Sequence, residues 1–218
     1  MSRLTSELHR LFHTDSPDRP RAMRLEVAAP ADWTSLGAVW RGVQAELGLP
    51  APVIAVSGID GLQLWFSLAQ PVAVAQANEF LAGLRARYLP GLPASRLRLQ
   101  AETAMPTVPA QDAASGNWSA FVAPDLAPVF VETPWLDIEP GAEGQADLLA
   151  RLSPITPAAF DAALQALRPT AEASPPPQPA AAAMAGHVEP RQFLQQVLDD
   201  EAAPLALRVE AAKALLRA

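Results

Sequence analysis

Apolar residues recur at two different spacings along the first hundred residues of the chain. Spacings of three and four residues predict amphipathic helices, whereas alternation and short apolar runs predict strands. In chain order these are a helix at 1–13, a strand at 22–28, a helix at 33–47, strands at 52–57 and 62–68, a helix at 74–88 and a strand at 96–100. After the first helix the order is β-α-β-β-α-β, which predicts an α+β fold of the ferredoxin-like or RNA-recognition type.

The rest of the chain contains short predicted elements, followed by a segment rich in proline and alanine and a final helical segment. Three further elements are predicted, a strand at 118–122 and helices at about 143–152 and 157–167. They complete an α+β domain over 1–167. A Pro/Ala-rich linker is predicted at 168–187, because this composition cannot bury enough apolar surface to order itself. Residues 188–218 predict a separate C-terminal helical hairpin.

Composition narrows the class of protein. The 218 residues include no cysteine, which excludes disulfides, thiolate catalysis and Cys-ligated zinc. The start of the chain lacks the apolar core of a signal peptide, and no apolar run is long enough to span a membrane, so we expect a cytoplasmic protein. The net charge of −7 argues against strong non-specific nucleic-acid binding, which depends on phosphate neutralisation.

The most informative motif is a Gly-rich turn that leads directly into an apolar strand. Ser57-Gly58-Ile59-Asp60-Gly61 precedes Leu62–Leu68, an arrangement typical of a hairpin that presents polar side chains over a sheet. The polar residue early in that strand is Gln63. Its amide neither exchanges a proton near neutral pH nor carries a positive charge.

Three stretches between Arg21 and Pro124 together resemble the archaeo-eukaryotic primase-polymerase superfamily. The family has an acidic D-x-D strand followed by a tryptophan and a helix, then a Ser-Gly turn with a G-x-H-x-W strand, then a Gly-Asn before an apolar strand. The corresponding stretches here are Leu25-Glu26-Val27-Ala28 with Trp33, Ser57-Gly58 with Gly61-Leu62-Gln63-Leu64-Trp65, and Gly116-Asn117 before Trp118–Pro124. The resemblance covers about half of the chain.

The departures from the family pattern concern its catalytic residues. The resemblance implies that Glu26, Gln63 and Glu102 are the candidate catalytic positions. The second residue of the acidic pair is Ala28, which cannot ligate a metal, and the family histidine is replaced by Gln63. Two-metal nucleotidyl transfer needs converging carboxylates. We therefore expect a catalytically degenerate site without cofactor or metal, with Mg²⁺ or Mn²⁺ only if the chain is an active enzyme.

A degenerate primase-like domain could still bind single-stranded nucleic acid along its sheet. Arginines beside the first and last predicted strands would contact phosphates, and the hairpin strand would supply polar and aromatic contacts. The candidate residues are Arg21, Arg24, Ser57, Gln63, Trp65, Arg96 and Arg98.

Two other segments suggest protein partners. The C-terminal hairpin is similar to a segment of phage small-terminase-like proteins, and its apolar seam includes Phe193, Leu194 and Val197. The acidic stretch from 130 to 147 fits no calcium motif, but it contains Trp135 in a Pro-bounded loop, where an aromatic side chain suggests partner contact. No membrane association is expected.

Three functions follow from these patterns. The first is a degenerate primase-polymerase-like interaction module for nucleic acid or protein, of a phage or mobile-element type. The second is an active metal-dependent nucleotidyltransferase that uses Glu26, Glu102 and Asp60. The third is a structural or regulatory protein-interaction scaffold. Converging carboxylates would favour the enzyme, an arginine-lined groove beside Gln63 and Trp65 the first function, and an acidic face with an exposed Trp135 the scaffold.

Overall fold

The computed structural model describes residues 2–168 and 212–213. The chain divides into two units, Met1–Pro169 and Thr170–Ala218. In the first unit, residues 2–168 form five α-helices and a five-stranded antiparallel sheet, which confirms the predicted α+β class. The helices are α1 (Arg3–Phe12), α2 (Trp33–Ala45), α3 (Val74–Tyr88), α4 (Ala142–Ala150) and α5 (Pro157–Leu167). The strands are β1 (Ala22–Val27), β2 (Val53–Val56), β3 (Leu62–Ser67), β4 (Leu97–Glu102) and β5 (Ala120–Val122).

The strands lie in the order β4-β1-β3-β2-β5, and every neighbouring pair is antiparallel. β1 therefore lies between β3 and β4, while β4 and β5 form the two edges of the sheet. β5 begins at Ala120, because Trp118 instead forms isolated bridges to Gln111 and Leu136. The last predicted strand is thus shorter than 118–122.

One face of the sheet carries the main core. Because side chains alternate along a strand, the apolar residues of β1 and β3 that share this face meet α2, α3 and α5. They are Met23, Leu25, Val27, Leu62, Leu64 and Phe66, all fully buried or nearly so. Phe80 of α3 packs between Phe66 and Phe160 of α5, with ring centroids 5.5 and 5.4 Å apart.

The opposite face is divided between an apolar half and a polar half. Leu11 and Phe12 of α1, together with Leu149 of α4, cover Trp65 and Phe121 and form a second core there. The amphipathic pattern of α1 predicts its inward face, although the sequence does not indicate which side of the sheet it covers. The other half of this face, on β1, β3 and β4, carries polar side chains.

The helix ends follow local signals in the sequence. Asp32 caps α2, and Thr156 precedes Pro157 as the cap of α5. After α2, the N–H of Leu49 bonds the carbonyl of Val43 at 3.0 Å while Gly48 takes a φ of 63°. The chain therefore leaves α2 through a left-handed residue, a conformation that glycine adopts without strain.

Several predictions for the C-terminal part lie outside the described residues. They include the linker from 169 onward, the hairpin apart from 212 and 213, and the candidate partner residues Phe193, Leu194 and Val197. Among the residues that are described, none belongs to a helix long and apolar enough to cross a membrane.

Candidate functional site

The register of three strands builds a polar cluster on the second face of the sheet. Glu26 lies opposite Gln63 of β3 and opposite Arg98 of β4. Two residues earlier on β1, Arg24 lies opposite Trp65. Side chains two residues apart share a face, so all five project from the same surface. We call Arg24, Glu26, Asp60, Gln63, Trp65, Arg98 and Glu102 the polar cluster.

Glu26 is the centre of the cluster and only 2% exposed. Its Oε2 accepts a hydrogen bond from Nε2 of Gln63 at 2.9 Å, and its Oε1 accepts one from the guanidinium of Arg98. Nη1 of Arg24 lies 3.6 Å from the same Oε2. A buried carboxylate is tolerated only with such partners, and Glu26 uses both of its oxygens for them.

Gln63 links this carboxylate to the apolar half of the face. Its Oε1 accepts a hydrogen bond from Nε1 of Trp65 at 2.8 Å, while its amide nitrogen donates to Glu26. Trp65 is 4% exposed and its ring lies 6.1 Å from that of Phe12. Both ends of the Gln63 amide are therefore engaged, and the Trp65 ring packs inside the protein rather than facing solvent.

Two arginines connect Glu26 to the other carboxylates of the cluster. Arg98 donates to both oxygens of Asp60, at 3.0 and 3.2 Å. These bonds, together with the bond to Glu26, raise the pKa of Arg98 above its ordinary value. Nη2 of Arg24 lies 3.2 Å from Oε1 of Glu102, and its guanidinium lies 5.2 Å from the centre of the Trp65 ring. The carboxylates thus converge, but a guanidinium separates each from the next.

The Gly-rich turn holds Asp60 in this position. The hydroxyl oxygen of Ser57 accepts hydrogen bonds from the N–H groups of Ile59, Asp60 and Gly61, at 3.1, 3.0 and 2.8 Å. Gly58 has a φ of 82°, and a Cβ there would lie 2.8 Å from the backbone nitrogen of Ser119. Ser57 therefore organises the turn, and its hydroxyl is not directed at the cluster.

Two of the candidate arginines lie outside the cluster. The guanidinium of Arg21 donates to the carbonyls of Leu68, His13 and Arg10, at 2.8, 2.9 and 2.9 Å, and so ties α1 to the sheet. Burial lowers the pKa of Arg21, with a contribution from the positive charge of Arg10. Arg96 donates to the carbonyl of Pro30.

The positions of the three candidate catalytic residues decide whether they could ligate a metal ion together. Glu26 and Gln63 are in contact, and Glu102 is joined to Glu26 only through Arg24. Within residues 2–168 and 212–213 there is no group of three or more carboxylates or histidines suited to holding a metal ion. A cation at Glu26 would have to displace both arginines. Each carboxylate of the cluster is paired with at least one arginine.

Sequence reasoning missed the pairing of Arg98 with Asp60. Asp60 was considered as a ligand in the enzyme hypothesis and Arg98 as a phosphate contact, whereas the structure makes them partners. The signal was present, since pairing β1 with β4 through Glu26 and Arg98 brings the β2–β3 turn to the same end of the sheet.

A second candidate surface lies beside β5, and we call it the acidic groove. Its apolar lining includes Leu126, Phe130, Leu136 and Ile138, around a volume of about 470 Å³. Leu126 is 50% exposed and Ile138 is 74% exposed. Trp135, predicted to be the exposed contact of this segment, is only half-exposed, and Ile138 is the side chain that protrudes.

Most of the chain that builds the acidic groove lies in a stretch with acidic but no basic residues. Residues 99–150 contain no lysine, arginine or histidine. Glu139 lines the groove, and Asp125, Glu132 and Asp137 are exposed in the same part of the chain. The groove therefore combines exposed apolar side chains with the carboxylate of Glu139, in a part of the chain that is acidic.

No protein-family model and no curated protein matches the chain. The assignment of function therefore depends on the two surfaces just described.

Proposed function

We propose that this chain is a catalytically inactive primase-polymerase-like domain that acts as a protein-interaction module. The order β4-β1-β3-β2 with α2 and α3 on one face supports a ferredoxin-like split β-α-β-β-α-β unit as its core. The polar cluster occupies the place on that unit where the family resemblance puts catalysis. The acidic groove lies beside β5, which follows the unit in the chain.

The state of Glu26 carries the non-catalytic part of the proposal. A two-metal mechanism requires carboxylates whose oxygens are free to ligate cations and a site that substrate can reach. Glu26 is buried, and its oxygens are held by Gln63 and Arg98. A guanidinium supplies the positive charge that a metal would otherwise supply, so the scaffold is stable without a cofactor.

The acidic groove supports a protein partner over a nucleic acid. Exposed apolar surface rimmed by polar residues is typical of protein interfaces. Negative charge repels phosphates and attracts lysine and arginine, so the partner expected is a segment with apolar side chains and flanking basic residues. The arginines that could attract nucleic acid are engaged by carboxylates or backbone carbonyls, and Trp65 is buried.

Fluorescence anisotropy with designed peptides tests the proposed partner chemistry. The probe is a labelled peptide that alternates leucine with lysine, compared with the same peptide carrying glutamate for lysine and with labelled single-stranded DNA. We expect saturable binding of the basic peptide alone. Ile138→Ser should weaken it by at least about tenfold, because burial of one aliphatic side chain contributes about 1.5–3 kcal/mol.

The matched control is Ile59→Ser, since Ile59 is also an exposed isoleucine, 59% exposed, but lies on the turn before β3. It should leave peptide binding unchanged. Binding of DNA in preference to the basic peptide would support the nucleic-acid function instead. Mn²⁺-dependent nucleotide incorporation that Glu26→Gln abolishes would contradict the non-catalytic proposal.

A further inference from the structure

The outer edge of β4 offers a row of unpaired backbone groups. Just before β4, the N–H of Ala28 bonds the carbonyl of Arg96 at 2.9 Å, so Arg96 faces β1. Hydrogen-bonded positions alternate along an antiparallel pair, and therefore Arg98 and Gln100 also direct their backbone groups toward β1. The alternate residues Leu97, Leu99 and Ala101 direct theirs outward.

Along this edge the N–H of Leu97 bonds the carbonyl of Ala94, and the outward groups that follow have no described partner. β4 is the last strand of the sheet, and no described hydrogen bond, from backbone or side chain, reaches the outward groups of Leu99 or Ala101. The edge is six residues long and contains no proline. Such an edge is a template for another strand unless charge opposes the pairing.

The charges on β4 are self-complementary. Arg98 and Glu102 share the cluster face of the strand, with Gln100 midway between them. When two copies of this strand run antiparallel with Gln100 opposite itself, each Arg98 lies opposite Glu102 of the other copy. Registers that place Arg98 or Glu102 opposite itself set like charges against each other, which is unfavourable.

We propose that a second copy of this chain pairs with β4 in that register and forms a twofold-symmetric dimer with a continuous sheet. Leu99 and Ala101 of the two copies exchange backbone hydrogen bonds. Arg98 and Glu102 then fall at non-hydrogen-bonded positions, where cross-strand side chains are closest. Leu99 faces Ala101 across the axis, which extends the partly buried apolar layer beneath α3.

The second copy also completes the polar cluster. Arg98 remains 49% exposed after bonding Glu26 and Asp60, and Glu102 uses only Oε1 toward Arg24. Each therefore keeps capacity for a partner across the axis. The two clusters become one network of alternating charges that runs from Asp60 of one copy to Asp60 of the other.

Sedimentation velocity of the full chain over a wide concentration range tests the dimer. Gln100→Lys and Gln100→Glu each place like charges on the twofold axis, and each should weaken self-association by up to about fivefold. An equimolar mixture of the two variants should recover dimer, because lysine then lies opposite glutamate. Gln100 is exposed and makes no described side-chain hydrogen bond, so circular dichroism should show both variants folded.

Gln165→Lys is the matched control, since Gln165 is exposed on α5 and remote from the axis. It should leave the dimer unchanged. A wild-type chain that stays monomeric over the whole range overturns the proposal. So does a dimer that persists in both Gln100 variants, or a mixture that dissociates as fully as either variant alone.

Discussion

The two edges of the sheet are protected in opposite ways. At β5 the strand is three residues long, and the side chain of Gln145 on α4 bonds both backbone groups of Phe121, with its Oε1 2.7 Å from the N–H and its Nε2 3.0 Å from the carbonyl. A single amide thus takes the place of a neighbouring strand. At β4 no described group does so, and the strand carries charges of both signs.

The same division extends across the second face. Next to β5 the face is an apolar core beneath α1 and α4, whereas next to β4 it is the polar cluster. Because the Gln145 amide bonds the backbone of β5, that edge of the sheet is closed within the domain. The other edge stays open beside exposed charges of both signs, which keeps that end of the sheet available for a partner.

Removing the centre of the polar cluster should have the largest effect on stability. Glu26→Ala leaves the amide of Gln63 and two guanidinium groups without their buried partner. Breaking a buried ion pair in this way costs about 3–5 kcal/mol of unfolding free energy. Urea denaturation followed by circular dichroism measures the loss.

Asp60→Ala is the control for that prediction, because Asp60 shares Arg98 with Glu26 but its side chain is 31% exposed. It should cost less than about 1 kcal/mol, as partly solvated ion pairs do. Equal losses of unfolding free energy in the two variants would show that the burial of Glu26 does not contribute to stability.

Removing the Gln145 side chain that covers the β5 edge should have an intermediate effect on the free energy of unfolding. Gln145→Ala leaves the N–H and carbonyl of Phe121 without partners in a buried position, and each unmet group costs about 1–3 kcal/mol. Because the two groups lie at the edge of the sheet, where water can reach them once the amide is removed, we expect about 1–2 kcal/mol for each and a loss of roughly 2–4 kcal/mol in the same denaturation experiment. It should also make β5 pair with other chains, which light scattering detects as aggregation.

The same substitution at Gln165, exposed on another helix, should be close to neutral. Should Gln145→Ala prove as mild as Gln165→Ala, the amide would not be what closes the β5 edge.

The smallest expected effect on stability concerns Asp32, the residue that caps α2 and feels the charge of Arg96. Burial acts to raise the pKa of Asp32, but hydrogen bonds from Ser35 and Thr34 and the charge of Arg96 outweigh it, so the pKa lies below its usual 3.8. A lowered folded-state pKa means that the carboxylate stabilises the protein above its unfolded pKa and loses that effect as the pH falls through the folded pKa.

Asp32→Asn keeps a good helix cap but removes the charge, so it should cost about 0.5–1 kcal/mol near pH 7 and almost nothing in strong acid. Denaturation at several pH values measures this difference. Thr156→Ala removes an uncharged cap from α5 and should give a loss that does not depend on pH in this range. A pH-independent loss for Asp32→Asn would contradict the assignment.

Much of the fold follows from local pattern. Alternation in Ala22–Val27 and Leu62–Ser67, the Asp32 cap and the Gly48 termination are local signals, and the structure places the elements where they indicate. Glu26 and Gln63 were candidates because of a family resemblance, and cross-strand pairing brings them into contact. The resemblance itself stays a prediction.

Contacts between elements that lie far apart in the sequence could not be predicted from local pattern. Nothing near Gln145 in sequence indicates that its amide bonds Phe121, because the two lie on different elements and any exposed helical glutamine looks the same. The arginines were expected to face phosphates, since sequence shows a charge but not the carboxylate beside it. Trp65 was ambiguous for the same reason, because an aromatic residue on a half-covered sheet can face either a helix or solvent.

The position of α1 has a consequence for the order in which the molecule is made. α1 is synthesised before the other described elements, yet Arg10 bonds the carbonyls of Leu149 and Leu152, and Arg3 pairs with Asp147. At roughly 5–20 residues per second, translation needs on the order of ten seconds or more to supply those partners. β1 to β4 can pair in the meantime, so the first of the described helices is among the last of them to be buried.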